Sequence, residues 1–510
     1  MRITSILLIA TLSFSACRPR DDESPSSSKA ESSEVPQTAQ DRPDIALSLV
    51  RVNSTRQSWN VWQPWEKNPP ERRRGLAALV GPMQVVTTAE LVANATYLEF
   101  ESADGSRFTP ARVVVADYES NLAMLEPISP SEGEAFFDGM QPLPIARPPR
   151  IGDSVQVVQL EDHGQPIFTD GLLQSVTVTS NLLPRHGFLT YLIKASMRSS
   201  SSSYTLPILH ENGLAGVLLA YNSDDQLCDG VSTDILSRFL ADAADGDYLG
   251  FPGLGISTSR TEDPSFRDWL GLTEDQGGVY ISSVRDGGVA EKAGVLVGDV
   301  LLTLDGIPID RRGYYEHPAY GSLSLGHLIR GEKSLGDVVE LGLLRNREPI
   351  ELQVTLEREG DEPLVPEQMF DRAPNYHVKG GLLFQELSRP LLESFGNEWR
   401  SVAPLNLLDA FQNPENYRDK MRRVVFLSGT IPTPATIGYE SLRNLIVKRV
   451  NGTDIRDLKD LVRAFEDHDG DLHSIEFADD GLTIYLDDTT STLVDSDLLQ
   501  RGISRLSRVD

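Results

Sequence analysis

The sequence predicts a mainly β chain with three folded units, and three observations carry that prediction. From residue 45 to about 221, short strand-like runs follow one another with Gly, Asn and Asp between them. "LAALVGPMQVVTT", "TYLEFES", "RFTPARVVVAD", "NLAMLEP" and "GLLQSVTVTS" are examples, and the pattern is that of an all-β barrel or sandwich. Next, "GGVYISSVRDGGVAEKAGVLVGDVLLTLDGIPI" reads as a strand, a turn, a short helix and a further strand. A second strand–turn–helix stands in "LIVKRVNGTDIRDLKDLVRAF". There Val450-Asn451-Gly452 turns, and Leu458, Leu461, Val462 and Phe465 share one helix face. A length of 510 residues suits such a division.

Composition narrows the partners. Lys and Arg number 47 against 75 Asp and Glu, a formal charge of −28. So acidic a body repels nucleic acid and anionic lipid heads. No metal or cofactor is expected.

The N-terminus reads as a targeting segment. Arg2 precedes the short apolar run "ILLIATLSF", too short to span a bilayer, and "FSAC" follows. Ser15 and Ala16 before Cys17 look like a bacterial lipobox, in which Cys17 is acylated. Phe14 departs from the usual leucine, and a plain cleaved signal peptide is the alternative. Residues 18–44 hold six Ser and four Pro with no aromatic side chain. Such a stretch cannot bury enough apolar surface to order itself, so it is expected to be a disordered tether. With Cys17 lipidated, Cys228 has no partner and is expected to be a packed thiol.

The first unit spans residues 45–247 and closes with "STDILSRFLADA", an amphipathic helix with Ile235, Phe239 and Leu240 on one face. The order from "GLAALVGPMQVVTTAELV" to "DYESNLAMLEP" resembles the protease Do (HtrA-type) serine proteases. The resemblance implies a chymotrypsin-like double β-barrel. In that family a Thr-Asn-x-His-Val segment carries the catalytic His, an Asp-x-x-x-Asp-Leu-Ala segment the Asp, and a Gly-Asn-Ser-Gly-Gly loop the nucleophile. Matched to "VVTTAELV", the His place holds Glu90; matched to "DYESNLAML", the Asp place holds Asn121. The nucleophile place falls on Ser202 counting forward from "IKASMR", or on Tyr204 counting back from Pro207 and Gly213, without the flanking glycines.

An alcohol attacks a carbonyl only when a neighbouring base takes its proton, and an imidazole suits that task near neutral pH. Glu90 is a weak base toward an alcohol, and Asn121 has no imidazolium to stabilise. Glycines would also let the loop aim two N–H groups at an oxyanion. The triad positions are therefore read as degenerate and the chain as no enzyme. His163, His186 and His210 sit in turn-like contexts and are expected to be solvated. A relocated triad and a Ser202–Glu90 dyad are the enzymatic alternatives.

The second unit, residues 248–358, resembles the family's PDZ domains over "GGVYISSVRDGGVAEKAGVLVGDVLLTLDGIPI". Upstream, "FPGLGIST" looks like their carboxylate-binding loop, with Gly253, Leu254, Gly255 and Ile256 cradling a peptide C-terminus. Leu325, Leu328 and Ile329 would form the other groove wall. A groove filled by the protein's own segment is the alternative. The third unit, residues 359–510, is similar to the C-terminal PDZ-like domain of the plant-type Do-like subgroup, as are the "PWEKN" and "TIGYESL" segments. "KGGLLFQEL" lies where a carboxylate loop would, without its glycine pattern.

These features imply a peptide-binding pseudoprotease tethered by lipid in the bacterial cell envelope, facing the periplasm. Its expected partners are protein or peptide C-termini, and it is expected to form a homo-oligomer or to co-assemble with an active relative. The alternatives are a residual serine-type endopeptidase acting on unfolded proteins and a structural oligomer whose PDZ units serve only assembly.

Overall fold

The computed structural model describes residues 45–184, 186–198, 205–244, 246–359, 363–478 and 481–509. Alternating apolar runs in the first part close into two antiparallel barrels of six strands each. The first comprises β1 (Leu49–Arg56), β2 (Glu71–Leu79), β3 (Val85–Thr87), β4 (Ala95–Ser102), β5 (Phe108–Asp117) and β6 (Leu122–Pro127). Its order is β1-β2-β3-β6-β5-β4. The one-turn helix α1 (Ala89–Val92) follows β3, and α2 (Pro130–Phe137) leads out of the barrel. The second comprises β7 (Ser154–Leu160), β8 (Pro166–Ser180), β9 (Gly187–Ala195), β10 (Pro207–His210), β11 (Gly213–Asn222) and β12 (Leu227–Val231). β8 begins five residues before the "GLLQ" run because its hairpin with β7 carries the ladder down to Leu160 opposite Pro166. Closure removes exposed strand edges, so neither barrel offers one for adventitious pairing.

Helix α3 (Thr233–Ala243) ends this part. The Ser232 hydroxyl caps it by accepting the Ile235 N–H at 3.4 Å. Ile235, Leu236 and Phe239 are buried, whereas Leu240 is only half-buried. The face is thus rotated toward Leu236 from the one periodicity suggested.

The next unit contains β13 (Pro252–Gly253), β14 (Ile256–Ser259), α4 (Pro264–Leu270), β15 (Val279–Val284), α5 (Val289–Lys292), β16 (Val300–Leu304) and β17 (Ile307–Pro308). β18 (Tyr314–His317), β19 (Gly321–Ser324), α6 (Gly326–Arg330), β20 (Val338–Arg345), β21 (Glu348–Thr355) and β22 (Glu357–Arg358) complete it. The sheet order is β14-β15-β16-β20-β21, which leaves β14 at an edge. Arg345 pairs with Glu348, and Asn346 and Arg347 between them have φ of 50° and 71°. Two successive left-handed residues make the two-residue hairpin turn that matches strand twist. Helix α6 packs on β9 of the second barrel, so barrel and sheet share one core.

The last unit contains β23 (Tyr376–Lys379), β24 (Leu382–Glu386), α7 (Arg389–Glu393), α8 (Trp399–Val402), α9 (Leu405–Gln412), β25 (Val425–Thr430), β26 (Leu445–Val450) and β27 (Thr453–Asp454). After them come α10 (Leu458–Glu466), β28 (Leu472–Phe477), β29 (Thr483–Asp487), α11 (Asp488–Gln500) and β30 (Ser507–Arg508). Leu458, Leu461, Val462 and Phe465 of α10 are all buried, as a stripe recurring every three to four residues requires. The tryptophan loop of the first barrel docks here. Arg508 lies 4.1 Å over the Trp59 ring and donates to the Pro64 carbonyl at 2.9 Å, and Trp65 meets Tyr376 edge-on at 6.0 Å. No helix of the described residues is long and apolar enough to cross a membrane.

One carboxylate ties the units together. Glu119, in the loop between β5 and β6, contacts His186 Nδ1 at 3.1 Å, Arg330 Nη1 of α6 at 2.7 Å and Arg358 Nη2 of β22 at 3.6 Å. Burial alone would push the Glu119 carboxyl up, but His186 and Arg330 outweigh it and hold it at about 2. The unfolded carboxyl takes its proton near pH 4.3. The stabilisation is therefore complete above about pH 4.3 and is lost as pH falls through about 2. The depression corresponds to roughly 3 kcal/mol at neutral pH. Glu119→Gln is expected to lower the unfolding free energy by that order at pH 7 and by far less at pH 2. Denaturant melts at the two pH values check this, and an equal loss at both contradicts it.

Candidate functional site

In the first barrel Glu90 sits on α1, half-exposed, with its carboxylate 3.3 Å from Arg73 Nη1. Asn121 ends the turn before β6 with φ of 59°, a left-handed conformation that Asn and Asp tolerate better than other side chains. Its Oδ1 accepts the Glu90 N–H at 2.9 Å. The two residues lie together and form a backbone cap, with an ion pair from Glu90 to Arg73. Ser202 and Tyr204 lie outside the described residues. The flanks of their segment are fixed: the Thr205 hydroxyl donates to the Leu76 carbonyl at 2.5 Å, and the Arg198 carbonyl accepts from Gln159 Nε2 at 3.0 Å.

The three histidines of the barrels part ways. His163 is exposed, beside Glu161 at 3.1 Å, and lines a cavity of about 360 Å³ with Arg51, Arg74, Arg198 and Leu206. His186 is not a solvated loop residue, because Glu119 holds it at the second unit's interface. His210 is not solvated either. It ends β10, is 7% exposed, and its Nδ1 faces the Ser154 carbonyl at 3.1 Å. The "LHENG" turn begins one residue later, at Glu211 and Asn212, which both have positive φ.

The loop before β14 is built around a carboxylate. Gly255 has φ of 67°, a left-handed conformation that favours glycine. Its N–H donates to Glu359 Oε1 at 3.2 Å, and its carbonyl accepts the Arg285 N–H at 2.8 Å. Arg285 Nη2 reaches Glu359 Oε2 at 3.0 Å, and Arg330 Nη2 lies 3.9 Å from Glu359 Oε1. A Cβ on Gly253 would stand 2.3 Å from Glu359 Oε1, so only a glycine lets this carboxylate in so close. Leu254 is buried and Ile256 half-buried. Arg285 also lines a cavity of about 1020 Å³ shared with Leu364, Met369 and Leu391 of the last unit.

The expected opposite wall is corrected in part. Leu328 and Ile329 are 1% and 4% exposed, in the core that α6 shares with the second barrel, and only Leu325 is half-buried. Arg285, Arg330 and Glu359 were not legible as site residues. Arg285 sits in the turn of the strand–turn–helix stretch, where a charged side chain reads as solvated, and "EREGDEP" around Glu359 reads as a solvated charge run.

The corresponding loop of the last unit is also occupied. Gly380 N–H donates to Asp495 Oδ1 of α11 at 2.7 Å, with Lys379 Nζ 3.3 Å from the same carboxylate. Cys228 is buried against Met197 at 3.5 Å, and burial pushes its thiol up to about 11, which makes it inert packing. Cys17 lies outside the described residues. His317, His327 and Glu332 bring possible ligand atoms within 4.8 Å of one another. His317 Nδ1, however, accepts the N–H groups of Ala319 and Tyr320, which leaves the ring proton on Nε2. A metal-ligating histidine instead donates from its outer nitrogen, so this set does not fit a resident metal.

Residues 252–356 and residues 365–503 each match the PDZ domain family. Protease Do-like 2, chloroplastic, of Arabidopsis thaliana is 28% identical over 426 residues, covering 82% of this chain and 68% of that one. Protease Do-like 4, mitochondrial, of the same plant is 24% identical over 428 residues, covering 83% and 77%. Serine protease Do-like HtrA of Bacillus subtilis (strain 168) is 25% identical over 302 residues, covering 55% and 62%. The expectation that the chain is no enzyme is corrected by these relatives, which all carry protease names and point to a protease. Two closed barrels followed by two PDZ domains, with such relatives along most of the length, make the chain a homologue of the HtrA/Do-type serine proteases.

Proposed function

We propose that this chain recognises the free C-termini of other polypeptides through its first PDZ domain. One observation carries the reading: the loop from Gly253 to Ile256 is already holding a carboxylate. A backbone N–H and a guanidinium grip it at 3.2 and 3.0 Å, the neutral and charged donors that a terminal carboxylate calls for. The open edge of β14 runs on from this loop with Ser257, Thr258 and Ser259 exposed, which suits strand addition by a peptide. The last domain is read as an assembly element, in a homo-oligomer or with a relative. The leader ending at Cys17 supports a lipid tether in the bacterial envelope, facing the periplasm.

The relatives' protease names bring proteolysis into the reading, as a serine-type endopeptidase activity. With Glu90 in place of an imidazole base, the reading is of a slow, residual activity. Replacing only the orienting Asp of such a triad by Asn already costs about 10⁴ in turnover.

Two outcomes test this function. A charge-assisted hydrogen bond to a carboxylate contributes about 1.5–3 kcal/mol, so free-acid peptides should bind about tenfold or more tighter than their amides; equal affinities contradict the reading. In casein digestion the expected turnover lies about 10⁴-fold or more below that of an intact triad. A rate in the intact range would overturn the placement of Glu90 and Asn121 at the base and orienter positions, and loss of labelling by a fluorophosphonate in Ser202→Ala would fix the nucleophile.

A further inference from the structure

We propose that Glu359 is an internal ligand of the first PDZ domain, competing with incoming C-termini for the carboxylate loop. This inference rests on the reading of that loop as a C-terminus receptor. Its side chain occupies the loop as a peptide terminus would: one oxygen on the Gly255 N–H, the other on Arg285, with Arg330 behind. The fit depends on Gly253, where any larger side chain would collide with the Glu359 carboxylate.

The chain delivers Glu359 to this place deliberately in the geometric sense. β22 pairs antiparallel with β13, Pro252 opposite Arg358 and Gly253 opposite Glu357. That short ladder fixes the backbone immediately before Glu359 against the residues that lead into the loop. Arg358, the preceding residue, is anchored separately on Glu119 at 3.6 Å. A carboxylate so tethered acts at an effective concentration on the order of millimolar or above.

Glu359 is nonetheless a displaceable occupant. It brings a carboxylate but no strand to add along the open edge of β14 and no apolar terminal side chain. A polypeptide C-terminus brings all three. Its side chain keeps 23% exposure, and Arg285 faces the large cavity between the two PDZ domains, which gives room for exchange. Self-occupancy raises the apparent dissociation constant for external termini by the inverse of the open fraction. It therefore filters out weak, short-lived termini and admits those that add along the β14 edge as well as filling the loop.

The test uses the full chain and fluorescein-labelled octapeptide pools with an apolar last residue, one pool as free acids and one as amides. Binding is read by anisotropy, with cooperative thermal melting as the check on folding. Glu359→Ala is expected to bind the free-acid pool about tenfold tighter than the unaltered chain, as for a loop self-occupied about nine-tenths of the time. The amide pool should be unchanged. Glu359→Gln keeps an acceptor but loses the charge, and should fall between; it carries the test if the alanine variant melts poorly. Equal free-acid affinity in all three proteins, each still preferring acid over amide, overturns the internal ligand and leaves C-terminus recognition standing. No preference for acid over amide in any of them overturns C-terminus recognition itself, and the internal ligand with it.

Discussion

Glu119 gathers His186 of the second barrel, Arg330 of α6 and Arg358 of β22 onto a single largely desolvated carboxylate supplied by the first barrel. A buried ion needs nearly all of its partners, because leaving one unpaired is costly. That requirement fixes three chain segments at once. It sets α6 on β9, seats Arg330 5.5 Å from the Phe188 ring, and holds β22 where its last residues reach the PDZ loop. Arg330 then extends the same cluster to Glu359, and Arg285 closes it on the far side. The placement of the PDZ domain on the barrels and the occupancy of its loop thus share one set of charges.

The barrel site follows a different logic. Asn121 retains what the backbone there requires: a left-handed residue with a side-chain oxygen to accept the Glu90 N–H. Glu90 turns outward to Arg73, an exposed pair of the kind that contributes little to stability. These contacts hold the local backbone in place. The PDZ loops hold carboxylates instead. The chemistry of carboxylate capture is intact in the first, and both loops use it on their own chain, through Glu359 and Asp495.

Much of the architecture was legible because periodicity and turn chemistry are local. The α10 stripe and the Val450-Asn451-Gly452 turn could be placed from neighbours in sequence, and the Gly253–Ile256 loop from its resemblance to a carboxylate-binding loop. What a helix face packs against is not local. Leu328 and Ile329 read correctly as apolar, yet they face the second barrel, because Arg330 pins their helix there. His210 looked turn-like since the turn starts at its next residue, while its own ring belongs to the barrel wall. Glu359 had no signal at all. In a charged stretch, one carboxylate that turns inward is indistinguishable from its solvated neighbours until the long-range contacts of Arg285 and Gly255 are known.

The central claim is that the Gly255 amide is held by a carboxylate at rest and remains available to another. Residue-level amide hydrogen exchange at Gly255 in the intact chain tests it most directly, since a donated N–H exchanges only when its hydrogen bond opens. The account predicts a protected amide in the unaltered protein, a fast-exchanging one in Glu359→Ala, and protection restored in that variant by a saturating free-acid peptide. A Gly255 amide that exchanges equally fast with and without Glu359, and is indifferent to the peptide, would contradict it.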